Sequence, residues 1–340
     1  MGKNSRWEIN LIAREVEAGF KNFAIAAAVY ACFSLYLYQP CFKRFHAVYY
    51  LLIVINPCVA ALGCYVLSRR WVSSFWGSFF GALIYGFGPF TLWLNNFHPA
   101  AGLLIAVMPW LFCPAAFGPK GKWQWMSLVL SALPFLAVLA FFQLCRYLHF
   151  FVIPKQLKIH LFDLASLFAP YAQIAERPLA VGFYHIPIAC LIMGFAMLIA
   201  AQRIGIMVIG GLGFVLAFSN SFLNVSPIVW FAVPTLFCCV MAAAGTQALA
   251  GAGLADRKWV LVSAMVLAGL AIVMMLVALK RSAAFSEAAR MYVLGTVVVG
   301  TIFFMLQAKM RLNWVRMLIL CLAMGVDVFF GARYIVDRLF

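Results

Sequence analysis

Carboxylates are scarce among the side chains of this sequence that could do chemistry. The chain has 340 residues but only nine Asp and Glu. Most of them lie in the charged N-terminal segment or beside basic residues in short polar stretches, where solvation explains them. Asp163 and Asp327 are different, because Asp163 lies in the one long connection between apolar runs and Asp327 lies inside an apolar run. These two residues are the candidate catalytic carboxylates.

Asp327 falls within the apolar stretch 318–330. An acid at membrane depth costs several kcal/mol unless it is paired or hydrated, so a functional role is the default interpretation. The structural alternative is an interhelical hydrogen bond, or an ion pair with a neighbour such as Arg333.

Asp163 belongs to a set of polar residues that we expect on one side of the membrane. A carboxylic acid close to lipid loses solvation, which favours it as a general base near neutral pH. The predicted substrate-binding residues on the same side are Asn95, Asn96, His98, Tyr171, Tyr184 and His185. The structural alternative is that these side chains cap helix ends and hydrate the interface.

Metals, cofactors and nucleic acids are not predicted as ligands. The five histidines show no helical pairing at three or four residues, and the ten cysteines include no CxxC pair. The net charge of +16 comes from basic residues scattered singly and in pairs between apolar runs. That pattern is typical of side chains that face lipid headgroups, so membrane lipids are the predicted partners.

The elements that must position these residues are transmembrane helices. Apolar residues make up 66% of the chain and charged residues 10%, which excludes a soluble globular domain. The apolar runs show no two-residue alternation, so we predict an all-α polytopic bundle of about 10–11 spans. The predicted spans are 23–39, 47–67, 73–94, 100–118, 125–150, 180–201, 204–220, 226–250, 259–279, 290–308 and 312–332.

Two segments outside the spans have their own patterns. Residues 1–22 combine charge with helical apolar spacing, which predicts an amphipathic surface helix before a single transmembrane domain, 23–340. In the outer segment, about 151–179, Leu157, Leu161, Leu164 and Phe168 predict an interfacial helix with one apolar face and a polar face that carries Asp163. Fourteen of the 25 Lys and Arg fall on the side of the N-terminus, which favours the N-terminus inside.

The small residues of the chain cluster in two places. The third run contains Gly77, Gly81, Gly86, Gly88 and Pro89, which favours close helix contact or a broken helix. A second cluster, 242–253, also predicts close helix packing.

Three groups of segments, taken in order, resemble a known family. They are 81–90 with 96–99 and 108–111, then 164–171 with 182–188, and finally 234–253. Together they resemble the bacterial YfhO-like membrane proteins, which are similar to the GT-C glycosyltransferase superfamily. The resemblance implies a bacterial inner membrane location, a polyprenyl-phosphate-linked sugar as donor, and an outer cavity lined by His98, Asp163, Tyr171 and Tyr184.

One departure from that family leaves the activity open. GT-C enzymes place an acid in the first outer loop, whereas the corresponding loop here, 39–46, holds Lys43 and Arg44 and no acid. If the catalytic carboxylate is missing, the chain is a truncated or degenerate member that serves as a non-catalytic scaffold or lipid-handling subunit of a cell-envelope complex, beside a partner membrane subunit. If Asp163 or Asp327 has taken over the role, it is a glycosyltransferase. A transporter is a third interpretation, which rests on Asp327 and the glycine-rich third run.

Overall fold

A computed structural model describes residues 4–44, 50–97, 99–117, 122–147, 159–170, 172, 182–200, 204–280, 283–310 and 312–339. Throughout these ranges the regular structure is helical, and the β-type pairing consists of the isolated bridge between Phe222 and Val225. The predicted all-α class is confirmed.

Thirteen α-helices are described, numbered here in chain order. The first six are α1 (Asn4–Tyr38), α2 (Tyr50–Ser68), α3 (Phe75–Gly86), α4 (Pro89–Phe97), α5 (Pro99–Phe117) and α6 (Lys122–Tyr147). The others are α7 (Pro187–Ala200), α8 (Ile204–Phe218), α9 (Pro227–Trp230), α10 (Ala232–Gly251), α11 (Arg257–Ala278), α12 (Ala283–Gln307) and α13 (Asn313–Leu339). Short 3-10 helices cover Gln39–Arg44, Leu161–Leu167 and Leu254–Asp256.

Seven helical segments in the described ranges are long and apolar enough to cross a membrane: Gly19–Phe42, Leu51–Ser68, Phe75–Asn95, Pro227–Gly251, Leu254–Ala278, Ala283–Gln307 and Asn313–Arg338. Shorter apolar helices are Pro99–Pro114, Ala132–Leu144, Pro187–Met197 and Val208–Phe218. Each of these segments corresponds to one of the predicted apolar runs. The chain is therefore a polytopic helix bundle with membrane-spanning character.

The start of the chain forms one continuous helix, since α1 runs from Asn4 to Tyr38 without a break. It joins the predicted surface segment, 1–22, directly to the first predicted span. The placement of 1–22 on the membrane surface stays a prediction.

The centre of the bundle is formed by the broken pair α3–α4 and by α10. Residues 77–95 are buried throughout, as are most residues of Pro227–Gly251. The break falls between Gly86 and Pro89, as the glycine-rich run favoured. Helices α2 and α7 pack on the two sides of this centre, α5 and α6 extend the α2 side, and α11 and α12 extend the α7 side. The last helix, α13, contacts α3, α4, α10 and α12.

Helices α7 and α10 touch backbone to backbone. A Cβ added at Gly245 would lie 1.6 Å from the carbonyl oxygen of Cys190, and one added at Gly194 would lie 2.1 Å from that of Met241. Only glycine at both positions permits this approach, which brings the two helices into close packing contact. The predicted close packing within 242–253 is confirmed at Gly245.

The two ends of the bundle differ in charge. One end, called here the basic end, holds the basic residues Arg69, Arg70, Arg257, Lys258, Lys309 and Arg316. Asp256 is the only acid among the described side chains there. At the opposite end acids accompany the basic residues, as in the exposed pairs Arg290–Glu287 and Arg333–Asp337.

Arg316 is a buried cation at the basic end. Its side chain is only 3% exposed. One guanidinium nitrogen donates to the carbonyl oxygen of Ala252 at 2.9 Å, and the other terminal nitrogen donates to that of Met310. These carbonyls follow the C-terminal ends of α10 and α12, where the helix dipoles place partial negative charge. A buried cation is therefore held by two helix ends.

We predict that Gly245→Ala destabilises the bundle by about 1–3 kcal/mol or more, because the new methyl group collides with the Cys190 carbonyl and forces α7 and α10 apart. The matched control is Gly269→Ala on α11, where a Cβ meets nothing within 4 Å. That variant should be neutral or up to about 1 kcal/mol more stable, because alanine is the better helix former. Thermal unfolding in detergent measures both, and equal stability of the two variants would contradict the packing described here.

Candidate functional site

Asp327 and His185 meet in the interior of the bundle. Asp327 lies on α13, and His185 lies in the segment 182–186 that leads into α7. Both side chains are fully buried, and Nδ1 of His185 is 3.0 Å from Oδ1 of Asp327. The fold thus joins a predicted catalytic carboxylate to a predicted substrate-binding residue. Arg333, the other partner considered for Asp327, binds Asp337 instead at 2.8 Å.

The second oxygen of Asp327 also has a partner. Oδ2 accepts the backbone N–H of Ile186 at 2.8 Å, directly before α7 begins at Pro187. The N-terminus of a helix carries unsatisfied N–H groups and partial positive charge, so a carboxylate is stabilised there. A side chain of α13 therefore caps α7 across the core, which offsets the cost of burying an acid among apolar helices.

Tyr292 completes the surroundings of His185. The two rings meet edge to face with centroids 4.9 Å apart. The Tyr292 hydroxyl donates to the carbonyl oxygen of Phe168 at 2.6 Å. This contact attaches the segment 159–170 to α12 and places it against the buried pair.

Tyr184 lies beside His185 and reaches the break between α3 and α4. Its hydroxyl donates to the carbonyl oxygen of Phe87 at 2.5 Å, and both residues are fully buried. The break removes helical partners from backbone groups near Phe87, and buried backbone groups need a partner. Tyr184 supplies one, so this predicted substrate-binding residue holds the central broken helix.

Asn95 is held in a second buried polar cluster. Its Oδ1 accepts from Nδ2 of Asn56 at 2.7 Å, and its own Nδ2 donates to the carbonyl oxygen of Ile53 at 2.7 Å. Asn56 Nδ2 also donates to the Pro99 carbonyl at 2.8 Å. Gly102 leaves the room for this, since a Cβ there would lie 2.2 Å from Asn95 Oδ1. The cluster ties α2, α4 and α5 together.

Asn56 was missed by the sequence reasoning. The signal was present, because Asn56 is a polar residue inside the apolar run of α2, and polar residues within spans face other protein groups. The same signal identifies Arg316 near the start of α13. In both cases the side chain holds neighbouring helices together.

Asp163 is oriented differently from the prediction. The segment forms a 3-10 helix, Leu161–Leu167, in which Asp163 is only 8% exposed while Phe168 is 42% exposed. The predicted polar outer face is therefore wrong for this part of the segment. The physical reason is local: Asp163 Oδ2 accepts the His160 backbone N–H at 2.8 Å, and the Ser166 hydroxyl donates to the Asp163 carbonyl at 2.5 Å. This tight turn draws both polar residues inward.

Three predicted site residues cannot be placed. His98 and Tyr171 lie outside the described residues, and Asn96 belongs to α4 but its side chain lies outside them. The described residues contain no group of three His, Cys, Asp or Glu side chains that could hold a metal ion.

The fold and these buried contacts define the class of the protein, an all-α polytopic integral membrane protein. No known protein family, curated protein or solved structure matches the chain. Asp327, His185, Tyr184 and Asn95 fix helices to one another.

We predict that Asp327→Leu destabilises the protein strongly. The change leaves the Ile186 N–H and the His185 ring without their acceptor, at about 1–3 kcal/mol for each buried group. Asp327→Asn keeps one acceptor and should lose less. The control is Asp337→Asn, which removes an exposed ion pair worth about 1 kcal/mol at most. Thermal unfolding followed by tryptophan fluorescence tests the series, and an Asp327→Leu protein as stable as the control would refute the capping role.

We predict that Asn56 and Asn95 are energetically coupled. Asn56→Ala and Asn95→Ala each break the shared hydrogen bond, so the double variant should lose less stability than the sum of the two. The expected coupling is about 1 kcal/mol, the size found for hydrogen bonds between membrane helices. A double-mutant cycle on unfolding in detergent measures this value, and strict additivity would contradict it.

Proposed function

We propose that this chain is a non-catalytic scaffold subunit of a cell-envelope membrane complex. The observation that carries the proposal is that both candidate carboxylates are bound by groups of the protein itself. Both oxygens of Asp327 bind groups of the protein itself, and Asp163 caps its own 3-10 helix. Carboxylates bound in this way stabilise the fold.

The first predicted outer loop supports the same conclusion. Its described part, the 3-10 helix Gln39–Arg44, carries Lys43 and Arg44 and no acid. If the chain is related to the YfhO-like and GT-C proteins that it resembles, catalysis would require a carboxylate in this loop. A truncated or degenerate member of that family, acting beside a catalytic partner, accounts for its absence.

Helix α11 is the surface proposed for a partner membrane subunit. Little of this helix contributes to the core, since only 28% of its most apolar stretch is buried. Its exposed side chains include Trp259, Met265, Ile272 and Leu276. Lipid covers such a face in a monomer, and a second membrane protein covers it in a complex.

A transporter is the alternative favoured by the buried pair. An Asp and a His in contact among membrane helices are the types of residue found in proton relays. Transport would require Asp327 to change its partner or its proton during a cycle. Asp327→Asn would then abolish vectorial uptake. The scaffold proposal instead expects no uptake by the unsubstituted protein or by the Asp327→Asn variant.

A glycosyltransferase that uses a polyprenyl-phosphate-linked sugar is the other alternative. It is favoured by Asp163, which is only 8% exposed and belongs to the segment 159–170 that Tyr292 holds through the Phe168 carbonyl. In this case Asp163→Asn would abolish sugar transfer in proteoliposomes. The scaffold proposal expects no transfer by the chain alone.

We predict that a photo-crosslinking residue at Met265 on α11 yields one adduct of fixed stoichiometry in the native membrane. The matched control is Leu133 on α6, which is similarly exposed and apolar. Asp163→Asn should keep the adduct, because it does not alter the α11 face. A lone monodisperse monomer after mild detergent extraction, with no adduct at Met265, would overturn the scaffold proposal.

A further inference from the structure

A cavity of about 340 Å³ opens at the basic end, between α7, α10 and the loop that precedes α3. Its apolar walls are Trp71, Met193, Met197, Ala244, Ala248 and Gly251. Ala244, Ala248 and Gly251 lie along one face of α10, and their small size leaves the space open. The cavity shares no residue with the clusters of Asp327 and Asn95.

Two polar side chains also line the cavity, and each has an oxygen bound to the protein. Gln247 Oε1 accepts the Ser74 backbone N–H at 3.0 Å. Asp256 Oδ2 accepts the Gly253 backbone N–H at 3.0 Å. These bonds fix the two loops at the mouth of the cavity, so the mouth is built by the fold.

A pair of basic residues adjoins a lining residue in two places, one in the loop that precedes α3 and one at the start of α11. Arg69 and Arg70 directly precede Trp71, and Arg257 and Lys258 directly follow Asp256. The side chains of Arg70, Arg257 and Lys258 are exposed, and Arg257 extends over the Phe303 ring at 5.7 Å. Exposed basic residues thus adjoin the lining of the cavity on two sides, and the polar residues of the lining itself are Gln247 and Asp256.

We propose that this cavity binds an anionic phospholipid. One acyl chain lies along the wall of Met193, Ala244 and Ala248, and the phosphate lies between Arg70 and Lys258. Charge complementarity selects the headgroup, because basic pockets between membrane helices bind anionic lipids. The tryptophan at the opening suits the same depth, since Trp is enriched at the membrane interface. A soluble anion would leave the apolar walls unfilled.

The first test compares two lipids with identical acyl chains. Purified protein in neutral detergent is titrated with phosphatidylglycerol or with phosphatidylcholine, and bound lipid is counted by native mass spectrometry. One phosphatidylglycerol should be retained in preference to phosphatidylcholine. Arg70→Gln with Lys258→Gln should weaken that binding about tenfold or more, because each basic group near an anionic lipid contributes about a fivefold factor. Lys280→Gln, an exposed cation at the opposite end, should change nothing.

The second test fills the cavity. Ala248→Phe should remove the bound lipid while the protein stays folded, as checked by its thermal unfolding. The control Ala28→Phe places the same ring on an exposed position of α1 and should keep the lipid. Equal retention of both lipids, or full retention by Ala248→Phe, would overturn the proposal. Complete displacement of phosphatidylglycerol by inorganic phosphate would also overturn it, since the apolar cavity would then contribute nothing.

Discussion

The architecture depends on one constraint, that a carboxylate buried among apolar helices must find its partners inside the protein. Asp327 meets it with two different groups, the His185 ring and the backbone N–H of Ile186 at the start of α7. Because these partners belong to the segment before α7, the last helix of the chain is fastened to a helix near its middle. Tyr184, in the same segment, extends the connection to the break between α3 and α4.

Close backbone contact provides the second organising element. Gly194 and Gly245 let α7 and α10 approach until each backbone touches the other, and this contact places α10 at the centre of the bundle. In membranes such contacts and interhelical hydrogen bonds replace much of the hydrophobic driving force, since lipid is as apolar as the side chains. The cavity at the basic end borders the same two helices, beyond the point where they touch.

The two ends of the bundle differ in the balance of their charges. At the basic end the cations outnumber the described acids. One of these cations, Arg316, points inward and binds backbone carbonyls at the ends of α10 and α12. At the opposite end acids pair with cations in Arg290–Glu287 and Arg333–Asp337. With the basic end inside, the N-terminus would also be inside, which remains a prediction.

The sequence by itself determined the class of the protein, because long apolar runs record the solvent that surrounds a chain. It also identified Asp327 as exceptional, since an acid in such a run always needs an explanation. It located Gly245 within a stretch of small residues predicted to pack closely, but not Gly194 on the other helix. Only the tertiary structure decided that the partner of Asp327 is His185, 142 positions away in the chain. It also showed that Asn56 binds Asn95 and that Asp163 turns inward. These results depend on which helices pack together, and pairing between distant segments leaves no trace in local composition or periodicity.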